Sequence, residues 1–357
     1  MMKKNSVISQ RVVYIVEDAK SAQFGYRVAN VIKALGKNNK WKAEYCLKDN
    51  ISEINFSTID ILVILRQTSK DNVALNLIKQ AHKHKIKVLF DLDDLVFDYN
   101  DLFLVSNTVC EKSLLYWLGY FWGIRRIAKK VDGFLCTNDF LGEKLKRSFG
   151  KPYKVIKNSL NQDQIRVSEK YIKNKIHDGF KIGYFSGSST HAKDFRLIEP
   201  EIIKFLENNS DARLRIVGYM KFSKEMQKMI GVKKVEVLKP VDHSKLQELI
   251  AEVDVNIAPL VINDFTNCKS ELKFFEAAAV ETTTIASPTY TFRHAITDGK
   301  NGFLAQPGEW YDKLEYLYKH TENNRKIAKE AKKYALEHYY GKEFLEEVEE
   351  AYDFFAK

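Results

Sequence analysis

The sequence predicts an α/β protein of two similar-sized domains, each built on a doubly wound parallel sheet. Three observations carry this. Short apolar runs alternate with amphipathic helical stretches, the order expected of parallel strands joined by crossover helices. The alternation runs through residues 11–159, stops, and starts afresh at Lys181. The chain has 357 residues, enough for two domains of ordinary size.

In the first half, 11–17 (RVVYIVE) is an opening strand. Residues 20–26 read as a polar loop containing Gly25, and Val28, Val31, Ile32 and Leu35 follow with helical spacing. The loop lacks G-x-G-x-x-G, so no dinucleotide fingerprint is present. Residues 59–65 (IDILVIL) form a second strand, 71–83 a helix, and 87–92 (KVLFDL) a third strand. That strand runs into the acids Asp91, Asp93, Asp94 and Asp98. Residues 101–130 are aromatic and basic. A strand at 133–137, a helix at 139–149, a strand at 154–156 and a turn at Asn158–Ser159 complete the half.

Residues 162–179 are polar, charged and weakly periodic, and read as the inter-domain connection. In the second half, strands are expected at 181–186, 213–217, 235–238 and 253–259, with helices from Leu197, at 244–251, 310–318 and 324–338. A last amphipathic helix at 343–355 follows Gly341. The resulting division is 1–165, 178–338 and a terminal helical segment 339–357.

Hydrophobic residues make up 45% and aromatics 12%, which supports a sizeable core and excludes disorder. Net charge is +10 with pI near 9.1, a balance that suits nucleic acid, an anionic membrane or a phosphate-bearing substrate without choosing among them. Cys46, Cys110, Cys136 and Cys268 lie far apart, without a C-x-x-C pair, so a structural zinc site is not expected and a reduced cytoplasmic compartment is. No apolar h-region follows the basic start, and no apolar run reaches the ~18 residues needed to span a bilayer.

Two strand ends in the second half are suited to anions. The loop 186–194 (SGSSTHAKD) follows a strand and precedes a helix. Gly187 lets backbone approach a ligand closely, Ser188, Ser189 and Thr190 offer hydroxyls and N–H groups, His191 a ring donor and Lys193 a charge. Such a loop cradles a diphosphate; the alternative is a well-capped helix start without a ligand. It is not a Walker loop. Within 255–304, a strand, a polar loop at 263–268 and a helix capped by Ser270 place Lys269, Lys273 and Glu276 near one helix start. Lysines suit phosphates, and a carboxylate accepts both hydrogen bonds of a sugar diol. An ordinary crossover with solvated lysines is the alternative. Adjacent in one sheet, the two loops would hold the two ends of a sugar nucleotide, with backbone around Gly218–Tyr219 and Pro240–Val241 flanking the base.

The acidic run 90–98 (FDLDDLVFD) has the D-x-D spacing of a Mg²⁺ or Mn²⁺ site. It falls in the other half from the phosphate loops. Orientation of an acceptor hydroxyl by Asp93 and Asp94, or general-base action on it, is therefore preferred to a metal, and helix capping and loop structure are the remaining alternative. Residues 114–124 (LLYWLGYFWGI), with Arg125, Arg126, Lys129 and Lys130, read either as an interfacial segment against anionic lipid or as a core helix.

The chain resembles bacterial GT-B glycosyltransferases of the family 4 type, the "glycosyl transferases group 1" kind that build surface polysaccharides. The resemblance spans nearly the whole chain: FGYRVANVIKAL (24–35), KVLFDLDDLVFD (87–98), KIGYFSGSSTHAKDF (181–195), VDVNIAPL (253–260), CKSELKFFEAAAVETTTIASP (268–288) and AITDGKNGFL (295–304). It implies two Rossmann-like domains facing a cleft, an N-terminal acceptor half that includes Gly25, Tyr26 and Arg27, a C-terminal nucleotide-sugar half, and a final helix returning to the first domain. It further implies a metal-independent hexosyl- or deoxyhexosyltransferase that retains anomeric configuration, has Glu276 on the ribose, and takes a glycan, lipid-linked or protein-linked acceptor at the inner face of the cell membrane. Catalytic roles fall on Asp93, Asp94 and Lys273. Donor contacts fall on Gly187, Ser188, Ser189, His191, Tyr219, Val241, Lys269, Ser270 and Glu276. The sequence departs from the family at one point: Cys268 stands where the first of two glutamates separated by seven residues belongs. That departure keeps open a second reading, a non-catalytic nucleotide- or polyanion-binding protein. Nucleic-acid binding lacks any recognition motif.

Overall fold

The computed structural model describes residues 9–36, 40–68, 72–109, 112–173, 179–186, 192–218 and 220–357. It divides into two compact units. The first comprises residues 1–161, Cys268–Ser270 and Tyr339–Lys357; the second comprises Gln162–Asn267 and Glu271–His338.

The first unit holds strands β1 (Gln10–Val16), β2 (Trp41–Leu47), β3 (Ile61–Leu65), β4 (Lys87–Leu92), β5 (Gly133–Cys136) and β6 (Tyr153–Val155), all parallel, in the order β2-β1-β3-β4-β5-β6. The winding direction reverses between β1 and β3. The fully buried run of β3 was legible as an apolar stretch; β2 was not, because it lies at the sheet edge and alternates Trp41, Ala43, Tyr45 and Leu47 with polar residues. That period of two was its available signal. One core gathers Val12, Tyr14, Val31, Ile61 and Leu89 with Phe344, Val348 and Tyr352 from the last helix, Lys342–Ala356. The Tyr352 and Tyr14 hydroxyls lie 2.6 Å apart there, and the Trp41 indole N–H donates to Asp353 at 2.9 Å.

The expected loop at 20–26 is mostly helix. Ser21 accepts the Phe24 N–H and caps a helix that begins at Ala22, widens to π geometry over Gly25–Ala29 and continues to Leu35. The widened turn buries three consecutive residues, Tyr26, Arg27 and Val28, which regular α geometry would point in different directions. The expected connection is also largely helical, Gln162–Lys173, and belongs to the second unit, where Tyr171 and Ile172 pack against its core. Its apolar residues are too sparse for the pattern to stand out, and packing supplies the stability that local propensity lacks.

The second unit holds β7 (Phe180–Phe185), β8 (Ala212–Val217), β9 (Val235–Leu238), β10 (Val255–Ala258), β11 (Thr283–Ala286) and β12 (Phe303–Leu304), parallel, in the order β12-β11-β10-β7-β8-β9. Successive residues of β7 face opposite ways. Tyr184 enters one core with Ile202, Leu214 and Ile257, while Phe185 enters another with Leu249, Val253 and Ala277. The sheet is thus covered on both faces, as its near-continuous apolar strands require.

Candidate functional site

The second unit winds one way from β7 to β9 and the other way from β10 to β12, so β7 and β10 meet as neighbours, with Asn256 beside Gly183. Their carboxyl ends flank the switch point, where doubly wound sheets open a crevice for ligands. Polar groups converge there. The Asp194 carboxylate, 6% exposed, accepts the Val261 N–H at 2.9 Å and so ties the segment after β7 to the segment after β10. The Ser287 hydroxyl accepts the Leu260 N–H at 2.9 Å, and Asn263 and Thr266 cap each other reciprocally at 3.0 Å. At the exit of β8, Gly218 has φ +133°, and a Cβ there would lie 2.2 Å from the Ser186 carbonyl oxygen; only glycine permits this approach.

Lys273 lies on the helix Leu272–Ala279 that follows β10. Its ammonium sits over the Tyr184 ring, 4.8 Å from the centroid, and its carbonyl accepts the Asn256 side-chain amide at 3.0 Å. Both strands of the switch point therefore fix this one residue. Burial raises the Tyr184 phenol far above its ordinary range, and the Asp194 charge adds to this against a hydrogen bond with Ser186. The ring stays neutral and presents a π face to the cation. Glu276, three residues on, shares a helix face with Lys273 and is 5% exposed.

Ser270 does not cap this helix. Glu271 occupies that position without a side-chain cap, and the Ser270 hydroxyl accepts the Asn158 amide at 2.9 Å. The tripeptide Cys268–Ser270 groups with the first unit. The Cys268 carbonyl accepts the Asn138 amide at 2.8 Å, and the Lys269 ammonium lies 3.5 Å from Asp94. Cys268 is a fully buried thiol outside any disulfide. Gly187, Ser188, Ser189, His191 and Tyr219 fall outside the described residues. Val241 is 37% exposed beyond the edge strand β9.

In the first unit, Gly25, Tyr26 and Arg27 share the π turn. Arg27 is 1% exposed and forks onto Asp91, also 1% exposed, at 3.0 and 3.1 Å, while also donating to the Ile156 carbonyl. Burial pushes the Asp91 carboxyl up to about 6 with Arg27 opposing; Asp91 in turn outweighs the burial of Arg27 and keeps the guanidinium charged. Asp93 and Asp94 follow β4 and are gripped by Arg66, from the end of β3, at 3.1 and 2.6 Å. Gln23 donates to Asp93 at 2.7 Å. Burial acts to raise the Asp94 carboxyl, but Lys269 and Arg66 reverse this and hold it below the ordinary range. A divalent cation on this pair would have to displace two cations from carboxylate oxygens already in use.

Sequence reasoning missed Tyr184, Asn256, Asp194 and Arg66. The first two sit inside apolar strands, and their roles need the neighbouring strand. Arg66 follows the end of β3 directly, a positional signal that was available, whereas Asp194 lies on the helix Ala192–Arg196 and its role needs the segment after β10. A cavity of about 510 Å³, lined by Phe180, Asp211, Asp254 and Arg325 among others, lies at the opposite, amino ends of β7 and β10, away from the switch point.

Residues 180–320 match the family model described as "Glycosyl transferases group 1". Solved structures align over almost the whole chain. The Anabaena protein HepE, in complex with UDP and glucose, has TM-score 0.65 at 12% identity, covering 96% of this chain and 99% of that one. Sucrose-phosphate synthase from Thermosynechococcus elongatus gives 0.66 at 12%, covering 96% and 98%. A glycosyltransferase from Rickettsia africae gives 0.66 at 15%, covering 98% and 99%. No curated protein matches the sequence. These likenesses and the two parallel sheets define the class: a GT-B fold. The residues that match the family model lie in its second unit.

Proposed function

We propose that the chain transfers a sugar from a nucleoside-diphosphate sugar to an acceptor hydroxyl, in the synthesis of a surface glycan or glycoconjugate, with retention of configuration and without a metal. The observation that carries this is Lys273, a cation fixed by β7 and β10 together at the switch point, one turn before the buried carboxylate Glu276. In this reading the ammonium stabilises charge on the departing diphosphate, work that a divalent ion performs elsewhere. Glu276 accepts both hydroxyls of the ribose. The UDP and UDP-glucose complexes of HepE support a nucleotide donor. On the first unit, Asp93 and Asp94 accept hydrogen bonds from the acceptor. Orientation suits Asp94 better than base chemistry, because a carboxyl held below its ordinary range is a weak base.

The test is turnover with a panel of nucleotide sugars, with and without excess EDTA. Transfer or donor hydrolysis that persists in EDTA is expected. Activity abolished by EDTA and restored by Mn²⁺ would return the acidic pair to a metal role. Nucleotide binding without turnover on any donor would favour the non-catalytic reading that Cys268 raises. Glu276→Gln should weaken UDP binding by about 1.5–3 kcal/mol, through loss of charge-assisted hydrogen bonds. Calorimetric titration checks this, and an unchanged dissociation constant would refute the ribose assignment.

A further inference from the structure

The helix Leu114–Ala128 has two apolar faces. At 100° per residue, Trp117, Phe121, Ile124 and Ala128 cluster on one side, and all are buried. On the opposite side Leu115, Leu118 and Trp122 align, and these are 80%, 39% and 52% exposed. The same angular arc continues to Arg126 and Lys129 at the helix end, and Lys112 lies just before the N-cap Ser113. A line of apolar side chains is thus followed by cations on one face. No Asp or Glu occurs from Lys112 to Lys130. The Arg126 guanidinium stacks over the Trp122 ring at 4.5 Å, and Lys112 sits over Tyr116 at 5.6 Å. The helix Leu102–Thr108, packed beside it, adds Phe103, 64% exposed.

We infer that this face docks the chain on an anionic lipid surface. A solvated helix has no use for leucine and tryptophan on its outer face. An apolar stripe about 10 Å long, lying flat, enters the headgroup and acyl boundary, while the flanking cations meet lipid phosphates. Tryptophan between the two is suited to that boundary, apolar in its rings and polar at its N–H. A second copy is the poorer occupant, since it would bring the same cations against their own kind. Among the described residues no helix is long and apolar enough to cross a membrane, so the contact is with one leaflet. The docking is independent of the transfer reaction proposed above.

The experiment uses the full chain and vesicles of phosphatidylcholine with and without phosphatidylglycerol. Trp122 is suited to report, because Trp41, Trp117 and Trp310 are all buried. Co-sedimentation with the phosphatidylglycerol vesicles alone is expected, with a blue shift of fluorescence that Trp122→Phe removes while binding is retained. Leu115→Glu with Trp122→Glu should lower partition by more than about tenfold, since it loses apolar burial and adds repelled charge. Lys129→Ala with Lys130→Ala should weaken binding and flatten its salt dependence. Unchanged circular dichroism and melting in both variants confirm folding. Absence of binding to phosphatidylglycerol vesicles would overturn the inference, as would binding indifferent to the Glu variant. A concentration-dependent dimer in the absence of lipid, abolished by Leu115→Glu, would overturn it too by assigning the stripe to a second copy.

Discussion

Arg27→Met is expected to destabilise the first unit by about 3–5 kcal/mol, the cost of leaving one member of a buried ion pair without its partner. Arg27 and Asp91 are each 1% exposed, and the guanidinium forks onto both carboxylate oxygens. Removing it strands a carboxylate that burial already disfavours, and frees the Ile156 carbonyl as well. Arg27→Lys should rescue little, because a single ammonium cannot replace a planar fork. Arg27→Met combined with Asp91→Leu should recover much of the loss, since an apolar pair of similar volume asks for no compensation. Urea unfolding followed by tryptophan fluorescence measures all three. The outcome also decides a point of function. Among residues assigned by resemblance to the acceptor side, Arg27 has its guanidinium committed inside the unit. Unaltered unfolding with lost turnover would return it to the acceptor.

Lys273→Ala is expected to lower turnover about 10²–10³-fold, the loss seen when one preorganised charge stabiliser is removed. The effect should fall mainly on kcat, because charge on the diphosphate grows as the bond to the sugar breaks. Folding should suffer less. The ammonium sits on the Tyr184 ring, a contact worth about 0.5–2 kcal/mol. The Asn256 amide still finds the residue 273 carbonyl in the variant, because that bond is to the backbone. Steady-state kinetics beside a melting curve checks the pair. Activity and melting temperature falling in parallel would make Lys273 a packing residue. Lys273→Arg keeps the charge but not the compact shape, and should restore turnover only in part.

Most of the fold was legible from periodicity. The fully buried strands Ile61–Leu65 and Val255–Ala258 announce themselves as short apolar runs, and Asp139–Phe149 carries its own start and stop signals, the Asn138 cap and Gly150 at φ +66°. Edge strand Trp41–Leu47 was missed because half its residues face solvent, and Gln162–Lys173 because its apolar stripe is short. The helix Leu114–Ala128 left two readings open, since a helix apolar on both faces has no amphipathic signature; only side-by-side exposure separates its core face from its outer one.

The candidate site divides the same way. Lys273 and Glu276 were legible as a cation and an acid near one helix start, because their spacing is local. What makes Lys273 a focus is not local. Tyr184 and Asn256 lie 89 and 17 residues away in sequence, and sheet order alone brings β7 against β10. Asp93 and Asp94 were legible as an acidic pair, but not that Arg66 closes on both of them. Arg27 was legible as a polar residue in a family motif, but not that a π turn buries it on Asp91. The sequence alone determined most of the element types and the chemical character of each strand end, because periodicity and residue type are local properties. Which strand ends are neighbours, and which charges are already spent on one another, only the tertiary structure decided. Those facts depend on contacts between residues far apart in the chain, which local pattern does not encode.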